Sequence, residues 1–228
     1  MAKLALALDT REFKEAVQIL EEIKYKNIII KIGYALFIKH GVDVIKIVKD
    51  KGFELFLDLK LHDIPNTVYN GVLSAVENGV DYLTVHILGG EQMLKKAVEA
   101  KKNSNLKLLG VTILTSHTQE YLNFLKIPLN LEELVLKLAK TGLDTGIDGL
   151  VCSTEEVQML KTRLEKDFIA VVPGIRPEGT SNDDQKRVAT PSQAVSSGAD
   201  IIVVGRPILK SDNKNKTIEK ILGDIEKR

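Results

Sequence analysis

Eight short apolar segments recur along the chain, and this recurrence restricts the fold more than any other feature of the sequence. They begin roughly 20 to 40 residues apart, and short runs of this kind predict buried strands. The segments are LALALD (4–9), IIIKIG (28–33), LFLDLK (55–60), YLTVHI (82–87), LLGVTIL (108–114), DGLVCS (148–153), FIAVVPG (168–174) and DIIVVGRPI (200–208).

The stretches between these segments have helical spacing. REFKEAVQILEEIK places Phe13, Val17 and Leu20 on one face, and NTVYNGVLSAVENG does the same with Val68 and Val72. LEELVLKLAKTG and TEEVQMLKTRL predict two further helices, the latter with Ser and Thr before Glu-Glu at its start. Alternating strands and helices predict parallel strands joined by crossover helices.

Eight such units in 228 residues predict a (β/α)8 barrel. The units repeat the pattern but not the sequence. No Gly/Ser linker or shift in composition interrupts the chain, so we assign residues 1–228 to one domain. The alternative is a doubly wound open sheet, but LDTREF stands after the first strand in place of the G-x-G-x-x-G of that fold.

Charge and composition narrow the function classes. The net charge of +1 argues against a general nucleic-acid or anionic-membrane partner. A single cysteine excludes an internal disulfide and a cysteine-based zinc site, and it fits a reducing compartment. No apolar run approaches the roughly 18 residues that span a bilayer, and the run in MAKLALALDT is too short for a signal peptide. We therefore expect a soluble cytoplasmic protein.

The two-residue period of a strand places charges inside the barrel. In the first three strands the leucines or isoleucines share one face, which is expected to contact the helices. The opposite face then points inward. Near the carboxyl ends of these strands it carries four charged residues, Asp9, Lys31, Asp58 and Lys60.

Four inward charges predict chemistry rather than ion pairs at a rim, because inward positions are normally apolar and barrel enzymes hold their sites at this end. A lysine held between carboxylates stays an ammonium. Such an ammonium can stabilise a developing carbanion and then protonate it.

The segment HDIPNT follows the third strand. From the residues alone, Asp63 is expected to cap the next helix, with Pro65 early in that helix. His62 is assigned a structural role, because no second histidine or acid lies at metal-ligand spacing near it. His86 is expected to line the barrel without an assigned role, and Cys152 to be a buried strand residue.

The last two strands lead into a predicted phosphate site, since barrel phosphate sites often lie on the loops after strands seven and eight. In VVGRPI, Gly205 lets phosphate approach the backbone and Arg206 offers a bidentate fork. VVPGIRPEGTSNDDQKR leaves the seventh strand as a long polar loop, typical of lids and binding loops. LTSHT offers the hydroxyls of Thr115 and Ser116 after the fifth strand.

Six motifs, taken in order, resemble the bacterial form of the orotidine 5′-phosphate decarboxylase family over nearly the whole chain. They are LALD, KIG, DLKLHDIPNT, LTS, PGIRPEG…NDDQKRVATP and VVGRPI, and DLKLHDIPNT is highly specific. The resemblance implies a homodimeric enzyme that releases CO2 from orotidine 5′-phosphate to form UMP, the last step of UMP synthesis. It also implies that no metal or organic cofactor takes part.

The resemblance further implies roles for single residues. Lys60 would donate the proton to C6, Asp58 would lie beside the substrate carboxylate, and Asp63 would complete the charge network from the other subunit. Asp9 and Lys31 would contact the ribose, with Lys31 counted in the catalytic set. The other implied substrate-binding residues are Ile64, Thr67 (from the other subunit), Thr115 (preferred to Ser116 for the pyrimidine), Pro173, and Arg176, Gln185, Gly205 and Arg206 on the phosphate and lid side.

Two alternatives stay open at this point. A magnesium-dependent sugar-phosphate decarboxylase or aldol enzyme of the same barrel suprafamily shares the D-x-K-x-x-D motif, although the continuation HDIPNT disfavours it. A catalytically silent nucleotide-phosphate binder would keep the phosphate site, but it has no need for two aspartates that face a substrate carboxylate.

Overall fold

The computed structural model describes residues 2–177 and 189–226, and within these ranges eight parallel strands close into a barrel. The strands follow chain order around the barrel, and the first also pairs with the eighth. The prediction of a (β/α)8 barrel is confirmed, and the alternative open sheet was wrong. The strands are β1 (Lys3–Ala7), β2 (Ile29–Ile32), β3 (Glu54–Leu61), β4 (Tyr82–His86), β5 (Lys107–Val111), β6 (Gly149–Val151), β7 (Ile169–Val172) and β8 (Ile201–Val204).

Helices cover the outside of the barrel, and the four predicted from helical spacing all form, at Phe13–Glu22, Pro65–Glu77, Leu131–Thr145 and Thr154–Arg163. A capping box at the start of the eighth helix, between Ser153 and Glu156, agrees with the Ser-Thr-Glu-Glu signal. The helices are α1 (Phe13–Glu22), α2 (Tyr34–His40), α3 (Asp43–Asp50), α4 (Pro65–Glu77), α5 (Gly90–Ala100), α6 (Gln119–Phe124), α7 (Leu131–Thr145), α8 (Thr154–Arg163), α9 (Pro191–Ser196), α10 (Arg206–Leu209) and α11 (Lys214–Glu226), with a short 3-10 helix at Ile87–Gly89.

Two apolar layers lie on either side of the sheet. The outward faces of the strands, with residues such as Leu4, Leu6 and Ile30, form the main core with the helices. The inward faces form a smaller cluster: Ala5, Ala7, Ile29, Phe56, Tyr82, Leu109, Val171, Ile201 and Val203. This division confirms the assignment of faces in the first three strands, and the next inward residues beyond Ile29 and Phe56 are Lys31 and Asp58.

Strand β3 departs from regular geometry near its carboxyl end. It pairs with β4 at Leu57↔Leu83 and next at Leu61↔Val85, so β3 carries two extra residues across this interval. Lys60 lies within it and has a φ of 47°. A left-handed conformation is uncommon for a residue with a side chain, and it marks this bulge as a strained position.

The amino-terminal end of the barrel is held by a contact that recurs three times, at Asp81, Asp148 and Asp200. Each follows a glycine and one apolar residue, and each stands directly before a strand: β4, β6 or β8. The carboxylates accept backbone N–H groups from the preceding strand: Leu55 (2.6 Å), Leu108 (2.7 Å) and Ala170 (2.8 Å). They also accept hydrogen bonds from three lysine ammonium groups: Lys49 (2.6 Å), Lys101 (2.6 Å) and Lys161 (3.0 Å). We call each of these units an aspartate clamp.

The clamps also reach forward to the following strands. Their backbone carbonyls accept N–H groups at the start of β5, β7 and β1: Lys107 (2.8 Å), Ile169 (3.0 Å) and Lys3 (2.8 Å). An ion pair between Lys3 and Glu54, at 2.7 Å, spans the remaining interval from β1 to β3. The short repeat Gly-x-Asp thus has a structural role that was not predicted from the sequence.

No helix in the described parts of the chain combines the length and the apolar character that crossing a membrane requires.

Candidate active site

A cavity of about 250 Å³ opens at the carboxyl ends of the strands. Apolar side chains of the inner layer, including Ala7 and Val203, form its floor. Most of the site residues predicted from the sequence lie around it: Asp9, Lys31, Asp58, Lys60, Thr115, Pro173, Arg176, Gly205 and Arg206. Ser116, the alternative to Thr115, is exposed and is not part of this lining.

The four predicted charges meet in the lining of this cavity. Lys60 Nζ lies 2.8 Å from Asp58 Oδ1, and Lys31 Nζ lies 3.4 Å from Asp58 Oδ2 and 3.7 Å from Asp9 Oδ1. Lys31 and Asp58 are largely buried, whereas Asp9 is more than half exposed. Charges from three consecutive strands therefore alternate in sign along one wall of the cavity, as the two-residue period predicts.

The charge state of Asp58 follows from these neighbours. Burial alone favours the neutral carboxyl, but the charges of Lys31 and Lys60 and the hydrogen bonds from Lys60 and Thr84 outweigh it and lower the pKa of Asp58. Asp58 is therefore an anion at neutral pH.

Thr84 and Tyr34 are two contacts of the network that the sequence analysis missed. The Thr84 hydroxyl donates to Asp58 Oδ1 at 2.9 Å, and the Tyr34 hydroxyl donates to the carbonyl of Leu59 at 2.7 Å. Burial, and then the charge of Asp58, raise the pKa of Tyr34. The sequence contains a pattern that places Thr84 on the inward face, since Thr84 lies between Tyr82 and His86 in the two-residue period of β4. The assignment of inward faces covered only the first three strands.

The segments after the last two strands carry the residues of the cavity lining that were predicted to bind phosphate. Arg176 follows β7, and Arg206 begins α10 directly after β8. A Cβ on Gly205 would lie 3.2 Å from the Cβ of Ala7, so a side chain here would crowd the first strand. Gln185 lies outside the described residues. The lining of the cavity therefore combines the charge network with two arginines.

Asp63, Ile64 and Thr67 do not line the cavity. All three are exposed on the segment that leads from β3 into α4. The prediction of a local cap at Asp63 was wrong, because the N-cap of α4 is Ile64 and the Asp63 side chain accepts the N–H of that residue, at 2.6 Å, instead of an N–H of the first helical turn. Pro65, predicted to lie early in the helix, is its first residue. It disfavours a helical conformation at Ile64, which is extended, and the helix therefore starts after Ile64 and not after Asp63.

His86 is half-buried beside the network and does not line the cavity. Its ring faces that of His62, with centroids 5.4 Å apart. Burial, followed by the charges of His62, Lys60 and His117, lowers the pKa of His86 to about 4, so the ring is neutral at physiological pH. Cys152 is fully buried, as expected, and burial raises the pKa of its thiol, which disfavours the nucleophilic thiolate.

Comparisons with known proteins agree with this arrangement. The family model described as "Orotidine 5'-phosphate decarboxylase / HUMPS family" matches residues 2–221. The orotidine 5′-phosphate decarboxylase of Aquifex aeolicus is 46% identical over 234 residues, covering 99% of this chain and 100% of that protein. That of Carboxydothermus hydrogenoformans is 40% identical over 230 residues, covering 98% and 96%.

Solved structures agree as well. The crystal structure of orotidine 5′-phosphate decarboxylase from Lactobacillus acidophilus superposes with a TM-score of 0.88 at 38% identity, covering 99% of each chain. The enzyme from Pyrococcus horikoshii superposes with a TM-score of 0.80 at 25% identity, covering 99% of this chain and 100% of that one. With its barrel, its charge network and these matches over nearly its full length, the chain belongs to the orotidine 5′-phosphate decarboxylase / HUMPS family.

Proposed function

We propose that this protein catalyses the decarboxylation of orotidine 5′-phosphate to UMP and CO2. The observation that carries the proposal is the Lys60 ammonium, held 2.8 Å from the buried Asp58 carboxylate in the lining of the cavity. The names of the full-length relatives, which are 40–46% identical, support the same reaction. The decarboxylase unit then extends over residues 1–228, without a metal or organic cofactor.

The reaction follows from the charges along the cavity wall. The bond between C6 and the carboxylate breaks, CO2 leaves, and the electron pair stays on C6 as a carbanion. The Lys60 ammonium stabilises this charge and delivers a proton to C6, and water then restores the proton to the amine. Asp58 lies beside the leaving carboxylate, and the charge of Lys31 keeps Asp58 ionised. Lys31 and Asp9 also hold the ribose.

The phosphate of the substrate binds where the segments after β7 and β8 line the cavity. Arg176, Arg206 and the backbone at Gly205 receive it there, together with Gln185. Thr115 and Pro173 also line the cavity and contact the substrate, Thr115 at the pyrimidine. Binding energy gained at the phosphate is then available to hold the reacting end in place.

A homodimer completes the site in this proposal. Asp63, Ile64 and Thr67 are exposed beside the cavity without lining it, so they are available to a neighbouring subunit. Exposed apolar side chains accompany them on α2 and on this segment: Tyr34 (50% exposed), Ile38 (78%) and Ile64 (67%). Covering such side chains with the same surface of a second copy would remove them from water.

Subunit mixing tests the shared site. Lys60→Ala and Asp63→Ala homodimers should each be inactive, because each lacks a member of every site. Random exchange between them makes heterodimers with one intact site, and activity should return to about a quarter of the wild-type value per subunit. No recovery after demonstrated exchange would argue that Asp63 serves its own subunit.

The assay for the activity itself is the loss of absorbance as orotidine 5′-phosphate becomes UMP. Turnover would exclude the silent binder, and binding without turnover would refute the proposal. The magnesium-dependent alternative predicts loss of activity in EDTA. We expect no loss of activity in EDTA, because the Asp58 oxygens that could bind magnesium already accept hydrogen bonds from Lys60 and Thr84 and face Lys31. The cytoplasmic location stays a prediction, which fractionation of cells would test.

A further inference from the structure

Thr84 joins the backbone of one proposed catalytic residue to the side chain of another. It is 1% exposed and lies in the middle of β4. Its hydroxyl accepts the backbone N–H of Lys60 at 2.8 Å and donates to Asp58 Oδ1 at 2.9 Å. An amide N–H can only donate and an ionised carboxylate can only accept, so the direction of both hydrogen bonds is determined.

The contact with the Lys60 backbone falls in the β3 bulge. Lys60 has a φ of 47°, and the register between β3 and β4 shifts around it. A residue with a side chain persists in such a conformation only where its surroundings hold it there. The Thr84 hydroxyl supplies a buried acceptor at this position, 24 residues away in sequence.

The contact with Asp58 falls on the oxygen that also meets the Lys60 ammonium. Asp58 Oδ1 accepts from Lys60 Nζ at 2.8 Å and from Thr84 Oγ1 at 2.9 Å. The Lys60 N–H, the Thr84 hydroxyl, the Asp58 carboxylate and the Lys60 ammonium thus form a closed ring of hydrogen bonds. Moving any member of this ring changes where the ammonium points.

On this geometry, and resting on the proposed function, we propose that Thr84 is a positioning residue for the decarboxylation. Its hydroxyl holds the bulge that directs the Lys60 ammonium into the cavity, and it orients the carboxylate of Asp58. Thr84 does not line the cavity, so it acts through these two residues and does not touch the substrate.

The test compares three variants. Thr84→Val keeps the shape and removes both hydrogen bonds, and Thr84→Ser keeps the hydroxyl. Thr112→Val is the matched control, because Thr112 is fully buried after β5, its hydroxyl donates to the carbonyl of Val151 at 3.4 Å, and it does not line the cavity. Turnover is expressed per site that binds UMP, measured by titration calorimetry.

We expect Thr84→Val to lower kcat by about 10- to 100-fold with KM changed by less than about threefold, because orientation is lost while binding is kept. Thr84→Ser and Thr112→Val should stay within about threefold of wild type. Three results would overturn the proposal. They are a kcat of Thr84→Val within twofold of wild type, a loss of turnover that only matches a loss of UMP-binding sites, and a kcat of Thr84→Ser no higher than that of Thr84→Val. If Thr84→Val does not fold, Thr84→Ala takes its place under the same criteria.

A second measurement does not depend on turnover. In an NMR titration of the carboxyl carbon of Asp58, the apparent pKa should rise in Thr84→Val and stay unchanged in Thr112→Val, because only the former removes a hydrogen bond to the carboxylate. An unchanged titration would overturn the role of Thr84. If the wild type forms no UMP, the proposed function fails, and this titration still decides whether Thr84 holds Asp58.

Discussion

Lys60→Ala removes the ammonium that lies 2.8 Å from Asp58 and leaves the rest of the bulge in place. Alanine, like lysine, carries a Cβ, so the backbone strain at a φ of 47° is the same in both proteins. The change therefore isolates the charge and the proton of the amine from the conformation of the chain.

The size of the effect follows from the geometry of the pair. In the proposed reaction the ammonium must approach C6 about as closely as it approaches Asp58. Two unit charges 2.8 Å apart attract by about 6 kcal/mol at an effective dielectric constant of about 20. This energy corresponds to a rate factor of about 10⁴. Since the proton donor is lost as well, we expect kcat to fall by at least about 10⁴-fold.

Single-turnover and steady-state absorbance assays would measure the loss, with calorimetry of UMP binding alongside. UMP has no carboxylate at C6, so its affinity should change by less than about tenfold. Lys101→Ala is the matched control: Lys101 makes an equally short, largely buried pair with Asp148 at the other end of the barrel. It should cost about 1–3 kcal/mol of unfolding free energy and leave kcat unchanged.

Residual kcat within 100-fold of wild type would refute the reasoning, because no proton donor would then be missing. Equal losses in Lys60→Ala and Lys101→Ala would show that general destabilisation, and not the position of the charge, accounts for the effect.

Three further predictions concern binding, pH and packing. Arg206→Ala should raise KM for orotidine 5′-phosphate about 10- to 100-fold by removing a charged hydrogen bond to phosphate, while the affinity for unphosphorylated orotidine stays the same. His86 has a pKa of about 4 in the folded protein against 6.5 for the free side chain, so the unfolded chain binds more protons between these values. Its contribution to stability is complete above pH 6.5 and is lost as the pH falls toward 4, by about 1–2 kcal/mol after allowance for partial exposure. Gly149→Ala should destabilise the barrel by about 1–3 kcal/mol, since its Cβ would lie 2.4 Å from the carbonyl oxygen of Ile169 in the next strand.

Urea unfolding and substrate kinetics give the controls for these three. The pH slope of stability should flatten in His86→Gln, and an unchanged slope would contradict the assignment of the titration to His86. Gly223→Ala, which meets no atom within 4 Å on α11, should be neutral or stabilising. If Arg206→Ala weakens the binding of orotidine and of orotidine 5′-phosphate equally, Arg206 does not bind the phosphate.

The strands and the charge network were predictable because both depend on a local period. Alternation along a strand assigned Asp9, Lys31 and Asp58 to the inward face, and parallel strands bring their carboxyl ends to the same edge. No long-range information was needed for either inference. The amphipathic spacing of the helices was equally local.

The remaining contacts depend on register, which a single sequence does not contain. Thr84 meets Lys60 because β3 gains two residues against β4, and no turn or glycine announces that bulge. Asp63 was assigned to a helix cap because its type suits a cap, yet the conformation imposed by Pro65 moved the helix start to Ile64. Asp63 is exposed in the single chain, and its assignment to a neighbouring subunit's site stays a prediction.

The aspartate clamps have a consequence for how the barrel closes. Two of them join strands that are consecutive along the chain. In the third, the backbone carbonyl of Asp200 accepts the N–H of Lys3 and so joins strands from the two ends of the sequence. The seam of the barrel, where β1 meets β8, is thus held by the same kind of contact as the strands around Asp81 and Asp148. Removing the first three residues would open that seam, and thermal unfolding should then begin at β1 and β8 and leave the joints at Asp81 and Asp148 intact longest.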